Sequence, residues 1–223
     1  MIVKLLILKD LYTQKISIYF LSILWFIILT NFFTDGSPVN HVILIAILAS
    51  FFALSSNGGD NKYFDKESIL INSLPCTRKQ VVLAKYMSGL MWFGLAAVAV
   101  IIYIMLFDMF APFPTRMIHF SEIIIALCWT YMMISIFYPL LFKTGYYIAS
   151  VITFGFPVIV IMGIKIIANM MENPNTAFVH EWIAALETNQ TLITVTLIAV
   201  SVLIVLLSFI LSLKIYNKKD LNA

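Results

Sequence analysis

Charged residues are scarce in this sequence: Asp, Glu, Lys and Arg make up 11% of its 223 residues, whereas 62% are hydrophobic. Soluble globular domains carry about 25% charged residues, so this composition excludes that class. The hydrocarbon core of a bilayer is about 30 Å thick and requires about 20 apolar residues per helical span. The composition therefore predicts an all-α, polytopic membrane protein.

Cysteine is also rare, and the glycines form no phosphate-binding loop. Cys76 falls in a segment that we predict to be cytoplasmic and Cys128 falls inside a predicted span, so both are expected to be free thiols. None of the eight glycines belongs to a G-x-x-x-x-G-K-[ST] pattern. The chain is therefore expected not to be an enzyme and to hold no cofactor, and any ATP and Mg²⁺ would be bound by a partner.

Ionisable residues are missing from the centres of the predicted spans, which disfavours ion-coupled transport. His41, His119 and His180 share no metal-ligand spacing, so they are expected to be solvated or interfacial and no metal site is predicted. Glu122 and Lys85 lie near span ends, where a carboxylate can reach water and a lysine can extend to the interface. The hydroxyl groups inside the spans are expected to form hydrogen bonds between helices, and a place on a substrate path is the alternative for any one of them.

Six apolar stretches have about the length of a helical span. They cover residues 16–34, 39–56, 87–109, 118–142, 146–168 and 192–214. The second is short enough to be a buried or re-entrant helix instead, but Pro38 before it and Gly58 after it mark it as a separate element. We predict six transmembrane helices within a single domain, residues 1–223.

The basic residues are distributed asymmetrically between the two sides of this predicted topology. Twelve of the 14 lysines and arginines fall on one side: Lys4, Lys9, Lys15, Lys62, Lys66, Arg78, Lys79, Lys85, Lys143, Lys214, Lys218 and Lys219. The other side has Arg116 and Lys165. Because cytoplasmic loops are enriched in basic residues, both termini are predicted to be cytoplasmic. The net charge of +3 then reflects sidedness, and no nucleic-acid binding is expected.

Residues 1–15 and 169–190 are predicted to form helices along the membrane surface. The first segment mixes lysines with apolar residues, which suits an interfacial helix, and an inward extension of the first span is the equal alternative. No small-residue cleavage site follows the first span, so that span is expected to be retained. The second segment places Phe178 and Trp182 at helical spacing, which predicts an outer amphipathic or re-entrant helix. That helix could cover the exit of a pathway or simply anchor its loop.

The predicted cytoplasmic loop, residues 57–86, contains start and stop signals for helices. Asp65 can cap a short helix that the Leu74-Pro75 pair ends. Thr77 and Gln80 have the spacing of a capping box, which predicts that the next helix starts there and continues into the third span. At 1.5 Å per residue such a helix would be about 50 Å long.

The loop segment that contains Glu67 and then ILINSLPCTRKQVVLAKYMSG resembles bacterial ABC-2 type permeases. The resemblance extends more loosely over the whole chain, including the LKDLY motif near its start. It implies that two such permeases, identical or different, pair across a membrane pathway, and that cytosolic ABC ATPase subunits dock beneath them. The alternative for the loop is a capped, solvated segment without a partner.

Within the resemblance, residues 65–73 correspond to a coupling helix that contacts the ATPase. We call this implied contact with the ATPase the joint. The residues that the resemblance implies there are Asp65, Glu67, Ile69, Leu70, Leu74, Pro75 and Arg78. A rigid helix joined to two spans could convert ATPase closure into helix tilting.

The chain is also similar to small permeases of Gram-positive exporters of amphipathic peptides, such as phenol-soluble modulins. The expected function is therefore the permease subunit of an ATP-driven exporter in the bacterial cell membrane, in contact with membrane lipids and an amphipathic peptide or other amphiphile. A membrane scaffold or immunity protein that binds a partner without transport is one alternative. An autonomous small channel is another.

Overall fold

The computed structural model describes residues 2–20, 38–57, 70–71, 75–110, 117–171 and 190–218. Its helices are α1 (Ile2–Thr13), α2 (Pro38–Ser55), α3 (Arg78–Phe110), α4 (Phe120–Thr144), α5 (Tyr146–Met171) and α6 (Gln190–Lys218). A further helical segment covers residues 16–20. No strand occurs in these described ranges, so the all-α prediction is confirmed.

Helices α2 to α6 coincide with five of the predicted spans. Three described segments are long and apolar enough to cross a membrane, by length and composition: Arg78–Leu106, Phe120–Thr144 and Thr194–Lys218. The apolar segments His41–Ser55 and Tyr146–Phe156 are shorter. Most of the predicted first span and of the outer loop 169–190 lies outside the described residues. The count of six spans therefore stays a prediction.

Helix α3 begins where the sequence predicts. The backbone N–H of Thr77 donates to Oε1 of Gln80 at 2.9 Å, and the backbone N–H of Gln80 donates to Oγ1 of Thr77 at 3.3 Å. This reciprocal capping box satisfies backbone donors that the first helical turn leaves unpaired. With 33 residues, α3 is about 50 Å long at 1.5 Å per residue and exceeds the bilayer core.

Helix α4 is the centre of the bundle. It packs against α2, α3, α5 and α6, while α1 rests on α3. Its side chains Ile134, Phe137, Tyr138 and Leu141 are completely buried. Because α4 contacts four other helices, a displacement of α4 relative to one of them would alter its packing against the others.

A single residue connects α4 to α5. Gly145 has a φ of 87°, and its N–H donates to the carbonyl oxygen of Leu141 at 3.1 Å. Side-chain-bearing residues rarely adopt this positive φ, so glycine is the residue that permits the chain to reverse here. The connection keeps α4 and α5 adjacent.

Pro139 lies inside α4 and cannot donate the backbone hydrogen bond to the carbonyl of Ser135, four residues earlier. The hydroxyl of Ser208, on α6, donates to that carbonyl at 2.6 Å. An unpaired carbonyl is costly in an apolar environment, so α6 supplies the donor that α4 lacks. Pro139 thus fixes a contact between two helices.

Helix α6 buries a polar stripe and exposes its aliphatic side chains. Ser201, Ser208, Ser212 and Tyr216 are buried on the side that meets α3 and α4. Most of its Leu, Val and Ile side chains point away from the bundle. Small hydroxyl residues allow close packing of membrane helices and provide hydrogen bonds between them, which accounts for this inverted pattern.

Candidate functional site at the start of α3

The joint implied by the family resemblance lies directly before α3, and the structure describes part of it. Leu70 is 67% exposed, and Pro75 is also exposed. Between them, Ile71 is buried in the bundle, and the Cys76 thiol contacts the Ile71 carbonyl at 3.4 Å. Asp65, Glu67, Ile69 and Leu74 lie outside the described residues. The described part of the joint is thus attached to the bundle and presents an apolar side chain outward.

Arg78, the remaining residue of the implied joint, binds the end of α6. Its Nη1 donates to the carbonyl oxygens of Tyr216 and Asn217 at 3.0 and 2.6 Å, and its guanidinium carbon lies 6.0 Å from the centre of the Tyr216 ring. The last carbonyls of a helix lack intrahelical partners and carry partial negative charge. A guanidinium can therefore satisfy two of them at once, which ties the start of α3 to the end of α6.

Lys85, two turns further along α3, forms a buried ion pair with Asp10 of α1. Its Nζ lies 3.1 Å from Oδ1 of Asp10, and the two side chains are 5% and 2% exposed. Lys9 approaches the same oxygen at 3.2 Å from a more exposed position. The prediction that Lys85 extends to the interface is wrong, because its ammonium group is buried against this carboxylate.

One face of α1 makes its contacts with the bundle. Leu6 and Asp10 lie four residues apart on α1, and both are buried, as is Gln14 directly after the helix. Nε2 of Gln14 donates to the hydroxyl of Ser55 at the end of α2 at 2.8 Å. The chain leaves α-helical geometry after Thr13 and is helical again from residue 16. Helix α1 therefore packs on α3, the residue after it contacts α2, and α1 is not a continuous extension of the next helical segment.

Tyr86, next to Lys85, connects α3 to both α4 and α6. Its Oη lies 2.6 Å from the hydroxyl of Ser208 and 3.0 Å from that of Ser212. The hydroxyl of Tyr131, on α4, donates to the backbone carbonyl of Tyr86 at 3.2 Å. The first turns of α3 are therefore held by α1 through an ion pair, by α6 through Arg78, and by α4 and α6 through hydroxyl groups.

Four other interior hydroxyl groups differ from the prediction. Ser88, Thr130, Thr153 and Ser201 donate to carbonyl oxygens of their own helices, three or four residues earlier. This local bonding is a common alternative for serine and threonine in helices. Hydrogen bonds between helices are concentrated on Ser208 and Tyr86 instead.

A second buried pair joins α2 and α4 at the other end of the bundle. Nδ1 of His41 lies 3.3 Å from Oε2 of Glu122, and the two side chains are 10% and 6% exposed. The same carboxylate accepts a hydrogen bond from the backbone N–H of His119 at 3.4 Å. The predictions that His41 is solvated or interfacial and that Glu122 reaches water are wrong, because tertiary packing buries them together. His180 lies outside the described residues.

Sequence reasoning identified Arg78 but missed Asp10, Lys85 and Tyr86. The signal was present, because Asp10 lies in the LKDLY motif and Lys85 and Tyr86 form the Lys-Tyr pair of the loop motif. Neither motif by itself shows that it contacts the other. The predicted free thiols, Cys76 and Cys128, are both unpaired.

No curated protein and no solved structure matches the chain significantly. The family model described as ABC-2 family transporter protein matches residues 5–217, which include most of α1, the loop before α3 and almost all of α6. That match spans nearly the entire sequence and contains every contact described at the start of α3. The chain therefore belongs to the ABC-2 family of transporter proteins.

Proposed function

We propose that the chain is the permease subunit of an ATP-driven exporter of amphipathic peptides or other amphiphiles. Family membership indicates a transmembrane component of an ABC transporter that is not itself an enzyme. Because the sequence contains no P-loop pattern, ATP would be hydrolysed by separate cytosolic ABC ATPase subunits. A second permease chain, identical or different, would complete the pathway in a bacterial cell membrane, with both termini cytoplasmic.

The arrangement at the start of α3 is the observation that best supports this proposal. A force applied to residues 65–77 reaches α3 first, since Thr77 caps that helix. Arg78 and Lys85 then attach α3 to α6 and to α1. A movement of the loop can therefore displace several helices together, as coupling between an ATPase and a permease requires.

The residues proposed to meet the ATPase are those that the family resemblance implies. Leu70 supports the assignment, because an apolar side chain that is 67% exposed in a polar loop is suited to a docking surface. Arg78 has its guanidinium on α6, so its proposed part in the joint is to hold α3 in place beside the ATPase. Glu67 and Leu74 are proposed as further contacts.

The test is co-purification of the chain with the ATPase encoded beside its gene, together with ATP-dependent peptide uptake into inverted vesicles. Glu67→Arg, and Leu70→Asp combined with Leu74→Asp, should leave the protein inserted and abundant but remove the ATPase and abolish uptake. Loss of one apolar anchor costs on the order of 2 kcal/mol in such an interface. Glu187→Arg, predicted to lie on the opposite side of the membrane, is the control.

Two results would count against the proposal. Full ATPase binding and uptake by the loop variants would refute the assigned joint. An ATPase that binds the wild-type chain while no peptide or other amphiphile is moved would favour the scaffold alternative. Purified chain without the ATPase should show no ATP hydrolysis.

A further inference from the structure

A groove runs between α4 and α6 on the outside of the bundle. Its volume is about 320 Å³, and its lining includes Leu127, Cys128 and Tyr131 of α4 and Ile198, Ser201 and Val202 of α6. Such a volume lies in the range of sites that bind small ligands. This groove is a separate feature from the candidate site at the start of α3.

The groove exists because two small residues lie on the facing helices. Cys128 and Ser201 are 6% and 4% exposed and line its wall. A larger side chain at either position would extend into the space between α4 and α6. The outer edge is formed by longer aliphatic side chains, among them Val202, which is 51% exposed. The result is an apolar groove that is open to the outside of the bundle.

The two hydroxyl groups of the wall already donate hydrogen bonds within the protein. The Ser201 hydroxyl donates to the carbonyl of Ile198 at 2.8 Å, and the Tyr131 hydroxyl donates to the carbonyl of Tyr86 at 3.2 Å. A bound water needs two to four polar partners, and the backbone of a peptide in an apolar site needs hydrogen bonds as well. Both hydroxyl donors of this wall are already used and the rest of its lining is mainly apolar, so its chemistry favours a ligand without polar groups.

The position of the groove indicates where that ligand would come from. It lies between two helices that are long and apolar enough to cross a membrane. Along α6 its lining extends from Ile198 to Leu206, or about 12 Å at 1.5 Å per residue, less than half of the bilayer core of about 30 Å. Residues 198–206 fall in the middle of the predicted span 192–214, so the medium expected around the groove is the hydrocarbon of the phospholipids.

We propose that the groove binds one acyl chain of a membrane phospholipid, held by shape and apolar contact alone. The binding depends on the acyl chain and is indifferent to the headgroup, because the wall has no charged side chain and its hydroxyl groups donate within the protein. The proposal is independent of the exported substrate and of the ATPase, so a failure of the proposed function would leave it intact.

The experiment uses the full chain in vesicles of a phospholipid with a photoactivatable diazirine in the middle of one acyl chain. After illumination, mass spectrometry locates the attached lipid. We expect residues of the groove to carry several-fold more label than Val98 and Ile102 of α3, which are 55% and 51% exposed. Phosphatidylcholine and phosphatidylglycerol should give the same pattern. Equal labelling of groove and α3 would show ordinary lipid contact only and would overturn the proposal.

Three substitutions on α6 sharpen the test. Ser201→Leu fills the groove and should remove most of its label, whereas Ser201→Ala should keep the label, because the hydroxyl bonds to its own helix. Ala199→Leu, an exposed position outside the lining, makes a comparable enlargement and should keep the label too. Retained groove labelling in Ser201→Leu would refute the proposal, and the wild-type comparison stands even if that variant folds poorly.

Discussion

The Oδ1 atom of Asp10 lies 3.1 Å from Nζ of Lys85, although 75 positions separate these residues in the sequence. Both side chains are almost completely buried, and they join α1 to α3. Burial of two charges carries a desolvation cost, and an unpaired buried charge costs much more. The pair therefore fixes the position of α1 against the start of α3, where the proposed coupling would act.

Removal of Asp10 should destabilise the protein more than removal of Lys85. Asp10→Leu leaves the buried ammonium without its carboxylate and should cost about 3–5 kcal/mol. Lys85→Met should cost less, because Lys9 also lies 3.2 Å from the Asp10 carboxylate. The double variant should regain most of the loss, since buried ion pairs are often replaceable by apolar residues of similar size. Unfolding in mixed micelles measures all three.

Lys4→Met, an exposed lysine on the same helix, is the matched control and should be close to neutral. If Asp10→Leu unfolds like the wild-type protein, the pair makes no contribution to holding α1. Equal losses in the two single variants would show instead that Lys9 does not compensate for Lys85.

The helices themselves were largely predictable from the sequence. The apolar run 39–56 corresponds to α2 (Pro38–Ser55), and the Thr77 and Gln80 spacing identified the start of α3 to within a residue. Both signals are local. A run of apolar residues must avoid water wherever it lies in the fold, and the capping side chains lie within one turn of the backbone groups that they bind. Local signals of this kind need no knowledge of the tertiary structure.

The contacts of the candidate site were much less predictable. Asp10 and Lys85 each lie at the edge of an apolar segment, where a charged side chain ordinarily extends to water. His41 and Glu122, at the other end of the bundle, also lie near the ends of apolar segments, so they too were wrongly expected to reach water. Only the packing of α1 on α3, and of α2 on α4, brings the members of each pair together and removes the water around them.

Arg78 should be more important than its exposed neighbour Lys79 for order at the end of α6. Arg78→Ala removes two charge-assisted hydrogen bonds to Tyr216 and Asn217 and should cost about 1.5–3 kcal/mol. Arg78→Lys should recover only part of this, because lysine has a shorter reach and lacks the planar guanidinium that lies over the Tyr216 ring. Hydrogen exchange should become faster in the last turn of α6, whereas Lys79→Ala should leave it unchanged. Unaltered exchange in Arg78→Ala would contradict the assigned role.

The topology predicted from the distribution of basic residues can be tested with reporter fusions. Fusions after Asp60, Lys143 and Ala223 should report a cytoplasmic location, and fusions near Phe113 and Asn175 an external one. The turn at Gly145 makes the Lys143 fusion especially informative, because α4 and α5 must enter the membrane from the same side. A cytoplasmic signal near Asn175 would refute the six-span arrangement.

The hydroxyl of Ser208 should be needed because Pro139 lies in α4. Ser208→Ala removes the donor to the Ser135 carbonyl and one hydroxyl contact of Tyr86. Hydrogen bonds between membrane helices contribute about 0.6 kcal/mol on average and up to about 1.7 kcal/mol, and the buried position predicts the upper part of that range. Pro139→Ala restores a backbone N–H to α4, so it should reduce the cost of Ser208→Ala.

The measurement is a double-mutant cycle of unfolding free energies in mixed micelles. Ser212→Ala is the control, because Ser212 contacts only the Tyr86 hydroxyl in this network and should cost the same with either residue at position 139. If Ser208→Ala costs equally in both backgrounds, its bond to the Ser135 carbonyl does not compensate for the proline. If Ser208→Ala costs less when Pro139 is also replaced by Ala, the Ser208 hydroxyl of α6 compensates for the proline in α4. The hydrogen bond from Ser208 to the Ser135 carbonyl, which Pro139 leaves without a backbone donor, would then help to hold α6 against α4.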